Sequence, residues 1–373
     1  MRLDVFLSPL PPGGYQLVMS LFLIVGLLVG RTVYQGVRNR RQAGKRLLIL
    51  GTSPLARGVV EEIGRRPDLG WVIVDVVEDP EKLGIAIEKT RPDRIVVGLG
   101  GRPQLPFGLL LESRARGILV EGAVETYERL TGKLALEALP AGSVVFSHDF
   151  QPTNVRLALT RQLSLWLGAL GLFVCLPLLA VIAVAIKLDS RGPVFFVQER
   201  IGRRGRTFTL VKFRTMHPVE GTQSEWERDN CDRITRLGWW LRRYRLDELP
   251  QLVNVLRGEM NLVGPRPHPV TNFAVLAQAA RGLHEEAIPY YSLRCAVRPG
   301  ITGWAQVRYR YANSLEEEME KVRYDLYYVK HISLWLDVRI LFETAKAVFT
   351  GQGLGRPAVV TTRGENADRL EAA

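Results

Sequence analysis

The sequence predicts an α/β protein held on a membrane, and three observations carry that expectation. Two long uncharged apolar stretches, one near the start and one in the middle, interrupt 373 residues of otherwise mixed composition. Between them, short apolar runs alternate with helix-like periods, the pattern of parallel strands joined by crossover helices. The charge is lopsided: 50 Lys and Arg against 38 Asp and Glu give +12, which suits phosphate-bearing partners. With 47% hydrophobic and 24% charged residues, a disordered chain, a collagen and a disulfide-stapled miniprotein are excluded. Cys175, Cys231 and Cys295 are odd in number, far apart and without metal-ligand spacing, so neither a disulfide nor a zinc site is expected.

The first element is the apolar run 15–30, which follows an uncharged stretch and spans about 24 Å as a helix. It is just long enough to cross a bilayer. Arg31, Arg38, Arg40, Arg41, Lys45 and Arg46 follow it without an intervening acid, so the positive-inside rule puts what comes next in the cytoplasm. Residues 1–45 therefore form a transmembrane helix and basic linker. Residues 46–150 read as a Rossmann-like unit, with strands at 46–50, 71–77, 94–97 and 117–120 and a helix at 55–65. In the first turn, Ser53 and Ala56 stand where a dinucleotide fingerprint wants glycines, which favours an accessory role over a cofactor site.

The second apolar stretch, 162–186, carries Pro177 past its middle and has basic residues on both flanks. A Pro-kinked span and a re-entrant helix bending near Pro177 both fit the segment. Cytoplasmic placement of both flanks favours the re-entrant form.

The chemistry lies downstream. Six basic residues and no acid occupy 200–214, and Lys212 and Arg214 alternate with Val211 and Phe213, so both cations fall on one face of a strand as a candidate phosphate clamp. A basic strand pair on anionic lipid is the plainer alternative. In LRRYRLDELPQLVNVL, Asp247 can cap a helix running to about Leu256, with Glu248 complementing its dipole and Pro250 in its first turn. The same geometry serves catalysis: a carboxylate beside Arg242, Arg243 and Arg245 stays ionised, and the adjacent acid points elsewhere and takes a different role. Gly264-Pro265-Arg266-Pro267 fixes Arg266 between two prolines, and the run from Arg298 to Gln306 is a glycine-rich turn suited to phosphate or base contacts. Residues 314–330 begin acidic and end basic, as a helix dipole favours, and 332–349 reads as an apolar helix that packs on the core, lies at the interface, or does both. The tail, 351–373, reads as mobile.

Taken in order, the Pro-broken apolar segment, GPVFFVQERIGRRGRTFTLVKFRTM, LRRYRLDELPQLVNVLRGEMNLVGPRP, VRPGITGWAQV and YDLYYVK resemble the bacterial polyprenyl-phosphate sugar transferases, the monotopic phosphoglycosyl transferases. The larger exopolysaccharide-associated members, with a Rossmann-like domain before the catalytic part, are the nearest in kind. Two departures stand out: one membrane helix where such members carry several, and Arg245 where smaller members often have Ser or Thr. The resemblance implies a catalytic domain over 151–350 with interfacial helices. It implies transfer of a sugar 1-phosphate from a nucleotide-activated sugar, a UDP-hexose, to undecaprenyl phosphate, on the cytoplasmic face of the bacterial inner membrane. Asp247 would be the nucleophile and a ligand of Mg2+, and Glu248 its partner. Lys212, Arg214, Arg242, Arg266, Arg298 and Gln306 would contact the substrate. A membrane-bound NAD-dependent nucleotide-sugar dehydratase or epimerase is weakened by the lack of any Tyr-x-x-x-Lys pair, and a non-catalytic membrane scaffold is the third alternative.

Overall fold

The computed structural model describes residues 46–99, 105–136, 150, 152–217, 233–270, 291–309 and 315–350. The expected membrane helix at 15–30 and the expected mobile tail lie outside them. The chain divides into two compact units, Met1–Ala138 and Leu139–Ala373.

The first unit is a parallel four-stranded sheet in the order β2-β1-β3-β4, built from β1 (Arg46–Leu50), β2 (Val72–Val77), β3 (Arg94–Val97) and β4 (Leu119–Gly122). The last strand sits two residues later than the sequence suggests. Leu47 and Ile49 face one layer of helices, α1 (Pro54–Arg65) and α4 (Ala123–Thr131). Leu48 and Leu50 face the other, α2 (Leu83–Thr90) and α3 (Phe107–Ala115). Both faces are covered, which is why β1 is an unbroken apolar run and not an alternating one. Between the ends of β1 and β3, the backbones of Gly51 and Gly98 meet directly. A methyl group placed on Gly51 would fall 2.5 Å from the Gly98 oxygen, and one on Gly98 would fall 2.7 Å from the Ala56 Cβ. The crevice where a doubly wound sheet receives a dinucleotide is therefore narrow at this point.

The second unit begins with α5 (Asn154–Asp189), 36 residues long and helical on both sides of Pro177. It extends past the uncharged run at both ends, started by the Thr153 hydroxyl, which accepts from the Arg156 amide. Its middle is apolar enough to cross a membrane, and most of it is uncovered in the unit: Trp166 is 63% and Phe173 79% exposed. Its edges are not bare. In the first half, Ser164 Oγ accepts from the Leu262 amide at 3.1 Å and Gly168 lies against Val255. In the second half, Ile182 and Ile186 join Phe213 and Leu241 in a buried cluster.

After α5 an antiparallel hairpin, β5 (Phe195–Ile201) and β6 (Thr207–Phe213), sets Phe196 opposite Lys212. Helix α6 (Arg236–Arg243) leads through a 3-10 turn (Leu246–Gln251) into α7 (Leu252–Arg257). The fully buried Asn254 fixes α7 to the hairpin: its Nδ2 donates to Thr209 O at 2.7 Å and its Oδ1 accepts from the Val211 amide. Two short parallel strands, β7 (Asn261–Val263) and β8 (Gly300–Thr302), join the Gly-Pro-Arg-Pro loop to the Arg-Pro-Gly loop. They lie so close that a methyl on Gly300 would stand 2.1 Å from the Gly264 nitrogen, so neither position accepts a side chain without backbone movement. Helices α8 (Trp304–Arg308), α9 (Leu315–Lys330) and α10 (Leu334–Phe349) complete the unit.

Candidate active site

Asp247 and Glu248 occupy the 3-10 turn between α6 and α7 and are 8% and 9% exposed. The expected helix cap is corrected: the residue preceding the turn is Arg245, in the left-handed conformation with φ of 52°, and Asp247 lies inside the turn, not at its cap. A left-handed non-glycine residue costs about 1–2 kcal/mol, and strain of this kind clusters at functional sites. Arg245 is held by its side chain, which donates to Gln306 Oε1 at 3.0 Å and lies 3.9 Å from Glu248 Oε2. Arg266 donates to the other Glu248 oxygen at 3.0 Å. Glu248 is thereby clasped between two guanidiniums.

Lys212 shares its face of β6 with Phe208 and Leu210, which pack against α7, so its ammonium is carried inward toward Asp247. The stem lies over the Phe196 ring, with the nitrogen 4.9 Å from the ring centre. Burial brings this ammonium down to about 8; Asp247 opposes the shift, and Arg200, Arg266 and Arg242 add to it. Burial and the adjacent Glu248 push the Asp247 carboxyl up to about 6 against the pull of Lys212, Arg242 and Arg266. Burial also works against the Glu248 charge, but Arg266 and Arg245 outweigh it and hold that carboxyl below its ordinary value. At neutral pH both acids are ionised. Asp247 is the more basic and the less neutralised, the condition of a nucleophile, whereas Glu248 is tied.

The structure brings Asp247, Glu248, Lys212, Arg242, Arg266 and Gln306 into one site, and the Gln306 amide nitrogen is buried with no hydrogen-bond partner among the described residues. It does not bring in Arg214 or Arg298. Strand β6 ends at Phe213, and Arg214 turns back to donate to Arg191 O at 2.7 Å and Ser190 O at 2.8 Å, holding the end of α5. Arg298 donates through Nε to Gly258 O at 2.9 Å and stands near Arg161 and Arg203. The two-cation clamp on one strand face is thus replaced by Lys212 from β6 and Arg242 and Arg266 from elsewhere.

Sequence reasoning missed the support beneath Arg266. Arg200 donates to Pro267 O at 3.1 Å, and the buried Arg294 donates to Arg266 O at 3.1 Å while pairing with Asp325 at 2.7 Å. Arg294 and Asp325 lie far apart in the chain and in no shared motif. Arg294 stands among apolar residues, whereas Asp325 follows a run of charged ones within YDLYYVK, so nothing in the sequence pairs them.

Among the described residues no three His, Cys, Asp or Glu side chains gather to form an all-protein metal cage. The donors nevertheless fit magnesium, which commonly takes one or two carboxylates and completes its shell with water and substrate phosphates. Burial first, and then the Glu248 charge, raise the Asp247 carboxyl, and a cation beside it would offset both.

The bacterial sugar transferase family matches residues 155–351, the stretch that holds this site. The chain is 32% identical over 351 residues to the UDP-glucose:undecaprenyl-phosphate glucose-1-phosphate transferase of Escherichia coli, covering 88% of this chain and 73% of that one. A Xanthomonas campestris protein of the same name is 34% identical over 360 residues, 87% of this chain and 72% of that one. The UDP-N-acetylgalactosamine-undecaprenyl-phosphate N-acetylgalactosaminephosphotransferase of Aeromonas hydrophila is 37% identical over 227 residues, 61% of this chain and 51% of that one. The chain thus spans about half the length of the Aeromonas relative and about three quarters of the other two. With a family match over 155–351, the stretch that carries Asp247 and Glu248, and relatives above 30% identity matched over more than two thirds of their length, this chain belongs to the bacterial sugar transferases.

Proposed function

We propose that this protein transfers a sugar 1-phosphate from a nucleotide-activated sugar, a UDP-hexose, to undecaprenyl phosphate, through a phosphosugar carried on Asp247. The observation that carries the reading is the buried, weakly neutralised Asp247 set among Lys212, Arg242 and Arg266 beside a Glu248 already clasped by two arginines. The relatives' names supply the donor and acceptor classes.

An Asp247 oxygen attacks the β-phosphorus, the bond from that phosphorus to the bridging oxygen breaks, and the nucleoside monophosphate departs with the bonding pair. An oxygen of undecaprenyl phosphate then attacks the same phosphorus and expels the Asp247 carboxylate, giving a lipid diphosphosugar and the free enzyme. Lys212, Arg242 and Arg266 hold the donor phosphates and offset the charge that develops on them. Gln306 has one amide hydrogen pair to offer. Magnesium, held by Asp247 and the donor phosphates, would lower the repulsion between carboxylate and diphosphate.

The acceptor is a lipid, and the exposed apolar face of α5 supports seating in the bilayer. Both halves of α5 touch the same catalytic unit, through Ser164 and Gly168 on one side of Pro177 and Ile182 and Ile186 on the other. This supports a re-entrant helix with both ends on the cytoplasmic face of the inner membrane, where nucleotide sugars are available. The first unit is read as a Rossmann-like accessory domain.

Asp247→Asn keeps the shape of the side chain and removes its nucleophilicity, so UMP release should fall by about 10³-fold or more, with the protein still folded. A phosphosugar mass adduct on the peptide holding Asp247 is the direct sign. Near-wild-type turnover in Asp247→Asn would remove Asp247 from the reaction.

A further inference from the structure

We propose that the buried Arg294–Asp325 pair is a positioning device for Arg266, and through Arg266 for Glu248; the inference rests on the transferase reading above. Arg266 lies between Pro265 and Pro267, so this loop has few amide hydrogens with which to fix itself. Four donors from outside the loop hold its consecutive carbonyls: the Gly300 amide takes that of Pro265, Arg294 that of Arg266, Arg200 that of Pro267, and the Ile201 amide that of His268. The Arg266 guanidinium then meets Glu248 at 3.0 Å.

Of the four anchors, Arg294 acts on Arg266 itself. It sits in a 3-10 turn (Tyr291–Ala296), is 7% exposed, and uses the same Nη2 for Arg266 O and for Asp325. Its other arm faces both ring nitrogens of His268 at 3.2 and 3.3 Å, and that ring is bonded in turn to the Tyr291 hydroxyl. The nearby Glu318 has a cation of its own, Lys321, at 3.1 Å. Asp325 is therefore the carboxylate that fixes Arg294, whose long planar guanidinium lets one arm serve that carboxylate and the Arg266 carbonyl while the other arm lies against His268. A buried pair kept only for stability has no need to engage a loop carbonyl next to a catalytic side chain.

Arg294→Lys separates the two roles. Lysine keeps a charge opposite Asp325, but its stem ends short of the place that Nη2 occupies, so an ammonium drawn to that carboxylate falls away from Arg266 O and leaves His268 without the Arg294 donor. In the full-length chain in nanodiscs, UMP release is measured with undecaprenyl phosphate and a panel of UDP-sugars, alongside thermal melting and hydrogen exchange over residues 262–270. Expected are a fall in kcat of about 100-fold with KM for the donor changed only a few-fold, faster exchange across the loop, and a melting temperature within about 4 °C of wild type. Asp325→Asn should move kcat and exchange in the same direction, and Arg294→Lys decides the matter if the asparagine variant does not fold. Wild-type kcat, or unchanged exchange, in folded Arg294→Lys overturns the proposal. Were wild-type protein to release UMP from no donor, the transferase reading would fall, while the exchange measurement would still decide whether Arg294 anchors the loop.

Discussion

Lys212 sets an upper limit on the pH at which the site can work. Its ammonium, brought down to about 8 by burial, is charged at neutral pH and loses its proton as pH rises through that value. The cation beside Asp247 then disappears. The kcat/KM for the nucleotide sugar should therefore fall above about pH 8, and Lys212→Arg, which stays protonated throughout, should carry the falling limb to higher pH even if its plateau is lower. Rates of UMP release between pH 6 and 10 test this; a limb that stays in place in Lys212→Arg would assign it to another group. At this scale much was legible in the chain: Asp247, Glu248, Lys212, Arg242, Arg266 and Gln306 all meet at one place. Arg214 and Arg298 were legible only as cations in motifs. Alternation along β6 predicts Arg214 on the Lys212 face, but Arg214 lies one residue past the strand end, where its side chain turns to the carbonyls of Ser190 and Arg191.

Helix α10 carries a second titrating device. Asp337, in its first turn, is buried, accepts the Tyr328 hydroxyl at 2.8 Å, and is pushed by burial up to about 7. Its ordinary value is 3.8, so between those two pH values the native chain holds a proton that the unfolded chain has released. Stability contributed by this group is complete below about 3.8 and is lost as pH rises through about 7, a difference on the order of 4 kcal/mol. Asp337→Asn should melt higher than wild type at pH 8 and much closer to it at pH 5; equal shifts at both would mean that the carboxyl ionises freely in place. For α5 the decisive observable is sidedness. With the native cysteines replaced, Asn154→Cys and Ser190→Cys should both resist an impermeant thiol reagent in intact cells and react once the cells are opened. Labelling of Ser190→Cys alone in intact cells would show a complete span. Existence and type of these helices were readable from apolar runs and end charges. The extension of α5 to Asn154 and Asp189 was not, because capping by Thr153 and packing by Ser164 and Ile186 carry the helix into charged sequence.

Over the whole molecule, the residues of the candidate site all come from the second unit, and the family match starts at residue 155. A chain beginning at Asn154 should therefore retain UMP release in detergent; a folded, inactive product would make the first unit a working part of the enzyme. The parallel sheet of that unit was legible from the alternation of strands with helix-like stretches, whereas the contact between Gly51 and Gly98 was not, since it joins the turns after two different strands. The meeting of β7 and β8 bears on how such enzymes can be recombined. Gly264 and Gly300 touch through their backbones, with Gly264 N donating to Thr302 O at 2.9 Å and Gly300 N to Pro265 O at 3.0 Å. The loop that presents Arg266 and the loop that leads to Gln306 thus form a single cassette. A chimera that borrows one of them from a relative inherits a mismatched seam, so exchanges intended to alter donor preference should transplant 261–268 and 298–306 as a unit.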